Sequence, residues 1–401
     1  MSFIHKLNVG LTSLLLFLSA LSYHPSFFVI YGEGGASRSI LSTSIAIVTL
    51  TILILSFRTW VFRNKVIKQN VIYLIFTFLF GLMISVCFES EEYINEIRNI
   101  LIAFVFLVIG YCLSLSVKEF FFLFAIFLAV TLYSSTAQVA TNIGGFIIED
   151  QYLANAKNSL GVILGSICIG TVTIGFSEKR LGKVKYLLLG TAIFLFVLLL
   201  TIRARTSSLA VIIILGYYYI KRSKLQKKQA INFVLLFVVT LIFVYSSKYY
   251  SGIWQFVQDS FLQNREIDIY GGRTTRNAEA LSVIIDYPIW GKLGTDIHTE
   301  WVHNYLLRIL SEYGIIGSLP LLFLYTYYVF FLIKYLLRQD VLRMENIGVL
   351  IMLVPFFSSF TEPTFPFAPG TAVVFAFVTF GYTLRNNQQN RITNETLSNL
   401  Q

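Results

Sequence analysis

Three short stretches hold residues whose types and spacing could do chemistry. "TIRARTSS" places Arg203 and Arg205 at a turn between two apolar runs. "YGGRTTRNAEALSVIIDYPIWGKLG" places Arg273 and Arg276 just after a glycine turn. "EWVHNYLLRILSEYGIIGSL" carries Glu300, His303, Asn304 and Arg308, and His303 is one of only four histidines in the chain. Arginine brings a planar, permanently charged fork that matches phosphate or carboxylate oxygens two at a time. Imidazole titrates near neutrality and can take a proton from a hydroxyl. Two or three arginines with one histidine thus suit a reaction in which a phosphate leaves and a hydroxyl attacks. Each residue also has a plainer reading: an arginine that snorkels to headgroups, or an interfacial histidine without chemistry. Glu279, Asp286, Asp296 and Glu300 are carboxylates that could take the place of His303 as base. His298 lies in a polar turn upstream. No His, Cys or carboxylate set has metal-ligand spacing, and "GEGGASRS" at 32–39 lacks the phosphate-loop pattern.

The elements that must position these residues are membrane-spanning. The chain is 56% hydrophobic and only 13% charged, which excludes an ordinary soluble domain. Apolar runs of spanning length recur from end to end and are continuous rather than alternating, so they read as helices, not barrel strands. About twelve spans are expected, at roughly 8–30, 39–57, 71–88, 99–116, 120–136, 158–176, 186–202, 207–220, 230–246, 314–334, 346–360 and 371–384. The first is read as a retained helix. Cys87, Cys112 and Cys168 all lie in apolar runs, so no disulfide framework is indicated.

Charge orients the spans. "RTWVFRNKVIKQ", "SEKRLGKVK", "KRSKLQKKQ" and "KYLLRQDVLR" fall on one face together with both termini, and most Asp and Glu fall on the other. That is the positive-inside pattern, so the net charge of +10 reflects topology rather than nucleic-acid binding. The organisation expected is a bundle over 1–246, a large outer loop over 247–313, further spans over 314–384, and a polar, disordered inner tail over 385–401. Long loops in compact proteins are usually functional, and this one contains most of the reactive residues.

Within the loop, a helix is expected from about Thr274 to Ile285, stopped by Pro288. Arg273 stands at its start, where free backbone N–H groups favour an anion. After His303, the spacing of Leu306, Ile309, Leu310 and Tyr313 predicts an interfacial amphipathic helix. Gly314 and Gly317 then let the chain turn into the next span.

Taken together, "RARTSS", "GGRTTRNAEAL…YPIWGKLG" and "HNYLLRILSEYGIIGSL" resemble the O-antigen ligase/polymerase superfamily of bacterial polysaccharide assembly. The resemblance covers about residues 200–325, and its most specific part is "HNYLLRILSEYGIIG". The first two hundred residues resemble the family only in hydropathy. The glycine pair of the middle turn is present as Gly291 and Gly294, spread by "KL".

The resemblance implies an all-α, GT-C-like glycosyltransferase of the bacterial plasma membrane, inverting and metal-independent, without a cofactor. The donor it implies is an undecaprenyl-pyrophosphate-linked oligosaccharide at the periplasmic face. Carried over by motif, Arg205 and Arg273 hold the pyrophosphate and His303 lies at the reaction centre. Arg203, Arg276, Asn304, Arg308 and Glu300 are the expected substrate contacts. A chain-length regulator and a flippase of the same pathway are the expected protein partners. The short interval between Arg273 and His303 favours a polymerase of O-antigen, capsular or exopolysaccharide repeat units. An O-antigen ligase acting on lipid A–core and a lipid-linked glycan transporter are the alternatives.

Arg273→Lys should abolish most glycan transfer although the charge is kept, because an ammonium cannot copy the two-pronged fit of guanidinium to phosphate. Transfer from a lipid-pyrophosphate donor at matched protein level measures this. Near-wild-type turnover would reduce Arg273 to a generic positive charge.

Overall fold

The structure is a computed structural model that describes residues 3–27, 36–56, 65–148, 151–177, 182–202, 204–222, 273–293, 295, 302–338, 342–368 and 370–398. Among these residues it is all helical, with no strand. The helices are α1 (Phe3–Leu21), α2 (Ala36–Ser56), α3 (Lys65–Phe88), α4 (Glu91–Cys112), α5 (Val117–Ile148) and α6 (Gln151–Ser177). There follow α7 (Val184–Thr201), α8 (Arg205–Arg222), α9 (Arg273–Asp286) and α10 (Tyr305–Leu336). A 3-10 turn (Met344–Asn346) leads into α11 (Ile347–Ser358), and α12 (Gly370–Ser398) closes the described chain.

Eight of these helices are long and apolar enough to cross a membrane. The chain is therefore a helical membrane protein. Outward faces of α2, α3 and α7 are lined by Ile47, Leu50 and Ile54, by Ile72, Phe76 and Leu79, and by Leu187, Ile193 and Val197, all exposed. Exposed apolar bands of this size need lipid rather than water.

Every predicted span but 230–246, which lies outside the described residues, overlaps a described helix. The first ends earlier than expected, at Leu21, and Ser22 begins a turn. α8, α11 and α12 fall short of the spanning criterion for separate reasons. α8 carries Arg205, Lys221 and Arg222 at its ends, α11 has 12 residues, and the second half of α12 is polar. That polar half corrects an expectation. The stretch read as a disordered tail continues the helix to Ser398, and Tyr111 and Asn346 hold its first turns through Gln388 and Asn387.

The core is α6, buried along nearly all of Lys157–Ser177, with α5, α7, α8, α11 and α12 packed around it. α12 lies against α4 and α11 through glycines. A Cβ on Gly110 would sit 1.9 Å from the Val378 carbonyl oxygen, one on Gly381 2.1 Å from that of Leu107, and one on Gly348 2.2 Å from that of Thr379. Lipid gives helices little hydrophobic reason to associate, so close backbone packing at small residues takes over that role.

The helices alternate in direction, and contacts sort their ends into two groups. One end joins His5 to Glu119 (2.9 Å) and Ser177 to the Leu342 carbonyl (3.1 Å). The opposite end joins the start of α4, the start of α8, the 287–293 turn, the 302–304 turn and the 359–368 loop. The described residues among those singled out for chemistry fall at this second end.

Gly110→Ala should destabilise the protein by about 1–3 kcal/mol relative to Gly10→Ala. Both changes bring the same gain in helix propensity, but Gly10 has nothing within 4 Å of an added Cβ. The thermal midpoints of the two purified variants in detergent test this, and equal midpoints would contradict the close α4–α12 contact.

Candidate functional site

α9 begins at Arg273 and runs to Asp286, close to the predicted 274–285. Pro288 follows its end, and the chain turns through Gly291 at φ +61°. This turn docks into α10. α10 is a single helix only nominally, because Gly314 breaks it with φ 64° and ψ −174°, a backbone region essentially reserved for glycine. In an unbroken helix the carbonyls of Ser311 and Glu312 would accept from the N–H groups of Ile315 and Ile316. Here the Ile315 and Ile316 N–H groups donate to the carbonyls of Pro288 (2.8 Å) and Ile289 (3.1 Å) instead. The Lys292 N–H donates to both Ser311 and Glu312 carbonyls at 3.1 Å. The two backbones approach so closely that a Cβ on Gly314 would lie 2.4 Å from Ile289 backbone atoms, and one on Gly291 2.5 Å from the Gly314 nitrogen.

The short helix 305–313 ahead of the break is the predicted amphipathic element. Asn304 caps it: its side-chain oxygen accepts from the Leu307 N–H (3.0 Å), and its amide donates to the Phe360 carbonyl (3.1 Å). The Tyr305 N–H donates to the Ser359 carbonyl at 2.9 Å. His303 thus sits one residue before a cap pinned on both sides.

Docking α9 against this helix brings Arg276 Nη1 to 2.9 Å from His303 Nε2, across 27 residues of sequence. Arginine can only donate, so Nε2 is the acceptor in this contact, which requires the tautomer with the proton on Nδ1. Both side chains are part-buried.

Arg308 is the other charged centre. Its Nε donates to the Pro363 carbonyl (2.9 Å), Nη1 pairs with Glu312 (2.8 Å) and Nη2 pairs with Glu96 at the start of α4. Its guanidinium lies over the Tyr305 ring, 5.7 Å from the centroid. One Arg308 variant that left both carboxylates would strand two buried charges, a cost of about 3–5 kcal/mol in comparable cases. Nearby, burial pulls the Lys292 ammonium below the usual lysine range, while Glu312 and Glu92 oppose that shift.

Arg205 is the first residue of α8 and is exposed. Its neighbour Thr206 shares a 2.5 Å hydroxyl hydrogen bond with Thr361. The 359–368 loop therefore touches both the start of α8 and the His303 turn. It also carries Glu362, which is buried.

The structure brings together His303 and Arg276 directly, with Arg273 one turn earlier on the same helix. Asn304 and Arg308 are adjacent, but their polar atoms are committed to capping and to ion pairs. Arg205 is joined to this region through the 359–368 loop. Arg203 and Glu300 lie outside the described residues, as do Asp296, His298 and 247–272. Sequence reading missed Glu96 and Glu362. "SEEYINEIRNI" offered a signal, an acidic cluster where α4 begins. "FTEPTFPFAP" offered another, one carboxylate in a proline-rich turn between spans.

No protein-family model matches the chain, and a search of the curated proteins returns no match. Fold and site define a class, a helical membrane protein with an imidazole–guanidinium pair and a buried ion-pair cluster at one end of its bundle.

Gly314→Ala should cost about 1–3 kcal/mol in backbone strain alone, and should separate Arg276 from His303 by displacing the Pro288–Lys292 turn. A cysteine pair at 276 and 303, tested for crosslinking in the Gly314 and Gly314→Ala backgrounds, reads the second effect. Undiminished crosslinking would mean that the turn does not set this distance.

Proposed function

We propose that this protein is a polymerase of O-antigen, capsular or exopolysaccharide repeat units. It transfers an undecaprenyl-pyrophosphate-linked glycan onto a lipid-linked acceptor at the outer face of the bacterial plasma membrane. The observation that carries the reading is the contact of Arg276 with His303, which joins the "GGRTTR" and "HNYLL" motifs at the start of α9. In this reading the protein is a GT-C-like membrane glycosyltransferase of about twelve spans. Both termini are cytoplasmic, because the basic loops gather on the terminal side.

The reaction is a single displacement. The acceptor hydroxyl oxygen bonds to C1 of the donor sugar as the bond from C1 to the pyrophosphate oxygen breaks. The hydroxyl proton passes to His303, and the electron pair leaves with the pyrophosphate, giving inversion at C1. Arg273, Arg205 and Arg276 offset the growing charge on the leaving group, and the free N–H groups at the start of α9 add to it. No step needs a metal or a cofactor. Arg203 and Glu300 are the remaining expected substrate contacts. Asn304 and Arg308 act by holding the His303 turn, since their polar atoms are already engaged. A chain-length regulator and a flippase of the same pathway are the proposed partners.

Deletion in the source organism followed by glycolipid electrophoresis tests the reading. A single repeat unit on the acceptor supports the polymerase. Bare acceptor with long lipid-linked polymer would favour an O-antigen ligase, and unchanged glycolipid with altered ion-dependent flux would favour a transporter.

For the purified protein, His303→Ala should lower transfer about 10²–10⁴-fold, the usual cost of removing a general base. His303→Gln should not restore it, because an amide cannot take the proton. The wild-type rate should fall on the acid side as the imidazole becomes protonated. Protonation removes the acceptor that Arg276 uses and sets two cations together, so the loss belongs to the low-pH side. A pH–rate profile at saturating donor checks both points. Retention of the acid limb in His303→Ala would move the base to a carboxylate, with Glu300 and Asp296 the next residues to test.

A further inference from the structure

Building on the assignment of His303 as the base, we propose that Arg276 is a latch on it. Arg276 occupies the His303 lone pair until the donor's pyrophosphate draws the guanidinium away, so the base is uncovered only when the leaving group is in place.

The argument starts from hydrogen-bond inventory. A neutral imidazole has one acceptor nitrogen, and here that nitrogen is Nε2, 2.9 Å from Arg276 Nη1. General-base action needs the same lone pair. The observed contact and proton abstraction therefore exclude each other at Nε2, and Arg276 has to move before the hydroxyl proton can be taken.

Something must then attract Arg276 more strongly than a neutral ring nitrogen. Arg276 lies in the first turn of α9, where four backbone N–H groups lack helical partners and the helix dipole is positive. An anion is favoured there. A pyrophosphate offers several charged oxygens, and a guanidinium–phosphate contact joins opposite charges through two parallel hydrogen bonds, where the imidazole offers one uncharged acceptor. Rotation of the Arg276 side chain exchanges its contact with a neutral ring nitrogen for one with a charged oxygen. After the exchange, Arg276 also stabilises the departing oxygen, and Nε2 faces the acceptor. The order of events follows: donor first, deprotonation second.

Other charged groups from the surrounding elements are Glu279 and Asp286 on α9, Arg308 and Glu312 on α10, Glu96 on α4, Arg205 on α8, Glu362 in the 359–368 loop and Lys292 in the docking turn. Arg308 is satisfied by Glu96 and Glu312. Arg276→Gln keeps every one of these groups in the chain.

The experiment uses full-length protein in lipid nanodiscs with ¹⁵N-labelled histidine. Four histidines give a tractable spectrum, and His303→Gln assigns the relevant signal. The probe is farnesyl pyrophosphate, whose binding is read separately from its ³¹P signals. The free protein should show His303 with Nε2 unprotonated and Nδ1 protonated. Bound probe should raise the pH at which His303 protonates by about one unit or more, as a cation is exchanged for an anion beside it. In Arg276→Gln that pH should already be high without probe and should move less on adding it. Probe that binds while the His303 tautomer and titration stay fixed overturns the latch, as does a resting tautomer with the proton on Nε2. Probe that fails to bind wild-type protein at all would instead count against the lipid-pyrophosphate donor. The wild-type arm decides by itself if the variant fails to fold.

Discussion

A helix broken in apolar surroundings has to replace the backbone hydrogen bonds it gives up, and the break at Gly314 does so with a segment from elsewhere in the chain. Two N–H groups past the break find the carbonyls of Pro288 and Ile289, and two carbonyls before it find the Lys292 N–H. A buried polar group left without a partner costs several kcal/mol in a lipid-like medium, so the two segments are bound to each other by what each would lose alone. Only glycine fits on either side: Gly314 for its backbone angles and Gly291 for the space. The contact fixes where α9 ends relative to where the 305–313 helix ends. α9 is 14 residues long, so fixing its end also fixes its beginning, and Arg276 reaches His303 as a consequence.

Charge reinforces this frame from the opposite side. Arg308 faces two carboxylates and a carbonyl, and each comes from a different place: Glu96 on α4, Glu312 beside the break, and Pro363 in the loop after α11. A buried pair of ions rarely adds much stability over apolar packing, but breaking one is costly. Such a cluster therefore specifies an arrangement more than it strengthens one. Aromatic contacts run through the same region. The Tyr93 and Tyr313 rings meet edge to face at 4.7 Å, and the Tyr93 hydroxyl donates to the Gly317 carbonyl at 2.7 Å. That carbonyl lies three residues past the break, so α4 supports both arms of the bent helix.

The spans were legible because apolar runs are long and local, and hydropathy needs no knowledge of partners. α9 was legible for the same reason: a glycine turn, a helix-forming run and Pro288 are all neighbours in sequence. The amphipathic stripe after His303 and the turn at Gly314 could also be read directly. What could not be read is which segments exchange hydrogen bonds across the break, because backbone groups carry no sequence signature. Arg308 looked like a substrate contact since a charged residue near a membrane suggests function. Its partner Glu96 lies 212 residues away, and that pairing appears only in the folded chain. Asn304 likewise has a structural partner set that the folded chain reveals. An asparagine before a helix is a good cap, and the cap accounts for it without any ligand. The polar end of α12 misled in the other direction: low hydropathy suggested disorder, but Tyr111 and Asn346 give its first turns polar partners.

The backbone and the side chain of His303 are held in very different ways. On the backbone side, the Asn304 cap, the Tyr305 N–H bond to Ser359 and the double exchange at Gly314 follow within a dozen residues, and each involves a group that is costly to leave unsatisfied. At the ring, Nε2 meets Arg276 through a part-buried hydrogen bond between a cation and a neutral nitrogen, worth about 1.5–3 kcal/mol. A stiff turn carrying an imidazole that faces a cation is the arrangement on which the proposed proton transfer would draw. In the proposed reaction Nε2 has to stay within hydrogen-bond reach of a lipid-linked substrate, yet its lone pair has to be available to change partners. Glycines and buried ions supply the first requirement in the bundle, and the proposal assigns the second to Arg276 near the start of α9.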